Sequence, residues 1–145
     1  MPRSDPALCG AELAWAVLEE IREHPERHNQ GYYARETLCG TTYCVAGHAV
    51  RIAYPGARFL LDHWDPGPLD EEEDRWALRV DLPGARPALG IHELAQQLLH
   101  VDVYTASRLF SPDRDREMLL DELQTLAQDF ACSEHCPKAV PSSLR

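Results

Sequence analysis

Cys39-Gly40-Thr41-Thr42-Tyr43-Cys44-Val45-Ala46-Gly47-His48-Ala49-Val50 is the stretch around which this chain is arranged. A glycine turn leads into two threonines that can cap a helix, and the helix is predicted to run from Thr41 or Thr42 to the stop at Pro55-Gly56. At about 100° per residue, Val45, Ala49, Ile52 and Ala53 share one face. Cys44 and His48 lie on its flank beside Gly47. Ala46, Gly47 and Ala49 are small enough to let another backbone come close.

Before this stretch, Ala14, Val17, Leu18 and Ile21 are spaced i, i+3, i+4, i+7, the stripe of an amphipathic helix. Asp5-Pro6 is its predicted start and His24-Pro25 its end. Pro25 to Leu38 reads as an irregular connection anchored by Tyr32 and Tyr33. After the central helix the period changes to two. Trp76, Leu78, Val80 and Leu82 alternate with Ala77, Arg79 and Asp81, as in a half-buried strand, and Phe59 to Trp64 is its predicted partner. Between them lies an acidic, turn-rich loop from Asp65 to Asp74.

Helical spacing returns with Ile91, Leu94, Ala95 and Leu98. A short helix from Asp102 carries Val103, Ala106 and Phe110. Ser111-Pro112-Asp113 signals a last helix with Leu119, Leu123, Leu126, Ala127 and Phe130 on one side. The fold class is therefore mainly α, a compact helical domain with one inserted β-hairpin, and α+β as the neighbouring class. Residues 1–136 form one domain, 57–84 being the inserted hairpin with its acidic loop, and 137–145 form a flexible tail.

Composition narrows the partners. With 145 residues, 44% of them hydrophobic, the chain can bury one core. Its formal charge of −10 repels phosphate backbones and anionic lipids, so neither nucleic acid nor membrane is expected as a partner. Glu93 to Arg108 has the outline of a helix-turn-helix. The turn Leu99-His100-Val101-Asp102 lacks a glycine, however, and acidic residues follow it where phosphate contacts need Lys or Arg. No apolar run reaches the roughly 20 residues that span a bilayer. The opening residues lack the pattern of a signal peptide. The expected location is cytoplasmic, with the five cysteines mostly reduced.

Three chemistries fit the side chains. A thiol in the first turn of a helix has its pKa lowered by the macrodipole. Cys44 is placed for this, and His48 at i+4 could act as its base, giving a cysteine-dependent enzyme of the acyl-transfer or hydrolase type. Zinc is the second chemistry: Cys39, Cys44 and His48 could join Cys132 and Cys136, although neither group has the spacing of a zinc knuckle. The acidic loop is no calcium loop, since Gly67 and Asp70 stand where an EF-hand needs an oxygen ligand and a glycine. Third, Tyr43, Tyr54, Trp64 and Trp76 could form an aromatic binding surface beside the hairpin.

His24-Pro25-Glu26, Cys39-Gly40-Thr41-Thr42-Tyr43-Cys44-Val45-Ala46-Gly47, Ala88-Leu89-Gly90-Ile91 and Leu109-Phe110 together carry a likeness to a known group. The pattern resembles that of small uncharacterised proteins of actinobacteria and their phages that share a CGTxxCxAG motif. The resemblance covers the helical parts and leaves out Ala57 to Gly84. It implies an architecture without a settled activity. In that group an aromatic residue often stands where this chain has His48, so the Cys44–His48 pair would be particular to this sequence. The expected function is a small binding or accessory protein that presents the hairpin and acidic loop to a protein partner or small ligand. The cysteine enzyme and the zinc-stabilised module are the alternatives.

Overall fold

A computed structural model describes residues 6–37, 40–66, 73–82 and 87–129. The described residues form five α-helices and two small antiparallel sheets, a mainly α arrangement bordering on α+β. α1 (Gly10–Glu23) buries Leu13, Ala14, Val17, Leu18 and Ile21, as the spacing requires. It packs on α2 (Val45–Ala53) and α5 (Arg116–Asp129), while α2 also packs on α3 (Ile91–Leu99). α4 (Val103–Leu109) begins as predicted, with the Asp102 carboxylate accepting from the Thr105 N–H at 2.7 Å.

Several sequence expectations need correction. α1 starts at Gly10 with Cys9 as its N-cap, later than Asp5-Pro6. The predicted irregular connection contains regular elements over its described residues, 25–37: a 3-10 turn at Pro25–Arg27 and, further on, β1 (Ala34–Thr37). Thr41 and Thr42 do not cap α2. They lie in β2 (Gly40–Tyr43), which pairs with β1 from Ala34↔Tyr43 to Thr37↔Gly40. β-branched and aromatic side chains suit a pleated surface, and the partner strand draws this stretch into the sheet. α2 therefore begins at Val45, with Cys44 as its N-cap.

The hairpin of β4 (His63–Pro66) and β5 (Glu73–Ala77) does not stand alone. β5 pairs with β1, giving a four-stranded sheet in the order β2-β1-β5-β4. The predicted strand from Trp76 to Leu82 is two strands. Leu78, 40% exposed, breaks the alternation, so Ala77 is buried before it and Val80 and Leu82 after it. Beyond the break, β6 (Arg79–Asp81) joins a second sheet in the order β3-β6-β7, with β3 at Arg58–Phe59 and β7 at Leu89–Gly90. The last helix starts at Arg116, four residues beyond Pro112, after a turn in which Ser111 Oγ accepts from the Asp113 N–H.

One close contact fixes the site. α2 lies against the strand-entry segment so tightly that a methyl group on Gly47 would overlap the Tyr33 carbonyl oxygen. The same segment is tied to the helix start by the Cys44 N–H, which donates to Tyr32 O at 3.0 Å. Glycine here is a packing requirement.

Candidate functional site

Cys44 and His48 share a helical turn but no side-chain hydrogen bond. Their link is backbone: the His48 N–H donates to Cys44 O at 2.9 Å. Cys44 is 1% exposed, and burial pushes its thiol up to about 11, against the lowering expected from the helix start. The opposing effect is present, since the backbone N–H groups of Gly47 and Ala46 favour the thiolate. Desolvation is the larger of the two, so the thiol stays protonated.

His48 is fully buried, packed on Tyr43 with ring centroids 5.2 Å apart. Arg51 Nη2 donates to its Nδ1 at 3.2 Å, which leaves the imidazole proton on Nε2, a buried atom with no hydrogen-bond partner. Burial, then the charge of Arg51 and the neighbouring His28, lower its pKa to about 3, with the Arg27 backbone working the other way. Arg51 is itself held by Glu20 at 2.9 Å and lies over the Tyr43 ring. His48 is thus a neutral core histidine under a lid of charged side chains.

A cavity of about 240 Å³ opens on the other side of Cys44. Gln30, Tyr32, Tyr33, Cys44, Trp76 and Phe110 line it, with Leu78 and Pro112 also in its wall. Four parts of the chain thus contribute: the segment entering β1, the start of α2, the end of β5, and the turn after α4. Tyr32 meets Trp76 with centroids 5.7 Å apart, and Tyr33 Oη lies 3.2 Å from His92 Nδ1. Gln30 ties the walls together, its amide donating to Leu109 O at 2.8 Å and Ser111 O at 2.9 Å.

Of the four aromatic residues singled out in the sequence, the described side chains of Tyr43, Tyr54 and Trp76 sit in different surroundings. Trp76 lines the cavity and stacks on His63 at 4.5 Å. Tyr43 is half-buried against His48 and Phe59. Tyr54 is 4% exposed and belongs to the core, which corrects its expected exposure. Trp64 lies in β4, and its side chain is outside what the structure describes. For zinc, Cys39, Cys132 and Cys136 lie outside the described residues, as does most of the acidic loop. Among the described residues no group of three or more His, Cys, Asp or Glu side chains could hold a metal ion. Cys9 is disulfide-bonded, so two of the five cysteines are oxidised where mostly reduced thiols were expected, whereas Cys44 is free. No helix among the described residues is long and apolar enough to cross a membrane.

Sequence reasoning missed Gln30, His28 and Arg116. His28 Nε2 lies 2.9 Å from Gln30 Oε1, and Arg116 Nε donates to His28 Nδ1 at 3.2 Å. The only signal was the polar His28-Asn29-Gln30 run inside what read as a loop. No protein-family profile, curated protein or solved structure matches this chain.

Proposed function

We propose that this is a binding protein whose cavity beside Cys44 accepts one apolar, ring-sized group, either a small molecule or a side chain of a protein partner. The cavity carries the reading. Its volume of about 240 Å³ lies between the ~150 Å³ that encloses a benzene and the ~300 Å³ at which ordinary ligand sites begin. Tyr32, Tyr33, Trp76 and Phe110 supply rings to the wall, and rings favour offset or edge contacts with another ring. Trp76 offers ring contact rather than a hydrogen bond, since its indole N–H, without a partner among the described residues, is sealed from solvent. The hairpin and acidic loop would then present this cavity, because Trp76 belongs to β5 and Leu78 follows it.

NMR titration with p-cresol and indole tests the reading. The chain has three tryptophans, so the ¹H–¹⁵N spectrum carries three indole signals. Saturable shifts of the Trp76 indole N–H, with the 43% exposed Trp15 unmoved, are the expected outcome. No shift, or equal drift of all three signals, would remove the cavity as a binding site.

The cysteine-enzyme reading keeps one observation in its favour: the Cys44 thiol stands in the wall of this cavity. It ranks second because the thiol is protonated and His48 holds no proton path to it. Alkylation by iodoacetamide at pH 8 is expected to be at least ~100-fold slower at Cys44 than at a free thiol. Rapid labelling of the folded protein would reverse the ranking.

A further inference from the structure

We infer that a second cleft, between the 3-10 turn, β2 and the start of α5, is a site for a tetrahedral oxyanion, either free phosphate or the end of a small phosphomonoester. The cleft has a volume of about 540 Å³ and is lined by His28, Asn29, Gln30 and Thr42 on one side and Arg114 and Arg116 on the other.

Arg116 is the residue on which the inference rests. Its Nε donates to His28 Nδ1 at 3.2 Å, so the proton of that imidazole is on Nε2 and is given to Gln30 Oε1 at 2.9 Å. Gln30 in turn spends both amide protons on Leu109 O and Ser111 O. Every donor and acceptor in this relay is assigned, and it ends on main chain that cannot swing away. The guanidinium is thereby held in place before any ligand arrives, which removes much of the ordering cost of binding. Its Nη atoms make one long contact, 3.5 Å to Pro25 O, and among the described residues Arg116 has no carboxylate partner. That contrasts with Arg51, Arg58, Arg75, Arg108 and Arg114, all of which have one. A planar fork of free N–H donors is the usual recognition element for phosphate.

Thr42 Oγ1 and Arg114 Nε have no partner among the described residues, but both are sealed from solvent and so not open to an occupant of the cleft, which leaves Arg116 as the donor that reaches it. Charge does not favour an anion by itself. Glu26 and Asp115 also line the cleft, and Glu122 neutralises Arg114 at 2.9 Å. Glu26 is occupied by His24 at 3.4 Å. The attraction is therefore local to the fixed Arg116 fork, and millimolar rather than micromolar affinity follows.

The test is a ¹H–¹⁵N titration of the full chain with inorganic phosphate, glycerol 3-phosphate and acetate at constant ionic strength. Saturable shifts at Arg116, Thr42 and Asn29 with phosphate or glycerol 3-phosphate are expected, the tighter of the two naming the source. Arg116→Gln should weaken binding at least ~10-fold, the loss of one charge-assisted donor pair. Arg58→Gln removes the same charge elsewhere and should leave binding unchanged. Linear, unsaturated shifts overturn the site, as does acetate binding as well as phosphate or an Arg116→Gln protein that binds normally. Because Arg116 is exposed at the start of α5, its variant keeps the core intact, and unchanged helicity confirms that the fold is preserved.

Discussion

His28 and His48 are both buried, 9% and 0% exposed, and in both burial is the main cause of a lowered pKa. They nevertheless do opposite things. His48 is inserted into packing: one nitrogen takes a bond from Arg51, and the other has no well-formed hydrogen bond among the described residues, the Arg27 main chain only weakly favouring its proton. His28 has both nitrogens engaged and connects a surface arginine to the turn after α4 through Gln30. A buried imidazole without a second partner is a cost borne by the core, whereas one with two partners fixes the position of something else. The histidine that draws the eye in the sequence, beside a cysteine in a glycine-rich motif, is the packed one. The one in an undistinguished polar run lines the Arg116 cleft and is connected through Gln30 to the cavity beside Cys44.

The largest effect expected from this contrast is steric. On the His48 side, α2 touches the Tyr33 backbone, so Gly47→Ala must push a helix away from a strand entry. A loss of about 3 kcal/mol or more is expected in urea unfolding, at the upper end of overpacking costs. On the His28 side, an added methyl at Gly31 meets only Asn29 Oδ1, at 3.2 Å. Gly31→Ala should change stability by no more than about 1 kcal/mol. Equal costs at the two glycines would mean that the two sides are packed alike, and the contrast would fail.

A smaller effect separates the histidines by pH. The folded protein holds His48 at about 3, below its ordinary 6.5, so folding disfavours the protonated ring. Its contribution is complete above pH 6.5 and is lost as pH falls below it, down towards 3. Between pH 7 and pH 5 the loss amounts to about 2 kcal/mol. His48→Leu should flatten the stability profile by about that amount, measured from urea midpoints at the two pH values. His28 is shifted in the same direction, so some slope should remain in the variant. A variant as steep as the parent would show that His48 is not the group that resists protonation.

What could be read from the sequence was local. The α1 and α3 stripes, the Asp102 cap and the close approach at Gly47 all follow from side-chain size and spacing within one helix or turn, and the structure has each of them. What could not be read depended on distant chain. Thr41 to Tyr43 form a strand because residues 34–37 lie alongside, and those residues are a strand because β5 lies on their other side. The break at Leu78 appears only when residues 73–77 and 79–81 are shared between two sheets. Cys44 carried a correct local signal, the helix start, which was outweighed by a burial that no neighbour in sequence announces. The bond from Arg116 to His28 joins residues 88 apart, and no periodicity could propose it.

The smallest effect bears most directly on the contrast. Gln30 is the joint between the apolar cavity and the Arg116 cleft, and it lines both. Gln30→Leu keeps the volume but leaves Leu109 O, Ser111 O and the His28 Nε2 proton without their partner. Because the site is partly buried, water can reach some of these groups, and a loss of about 1–2 kcal/mol is expected in urea unfolding. The informative reading is spectroscopic. If His28 positions Arg116, freeing the imidazole from Gln30 should shift the Arg116 and Phe110 backbone amide signals together, although these residues lie on different elements. Movement of Phe110 alone would reduce Gln30 to a brace for the turn after α4, and His28 would then be as isolated a histidine as His48.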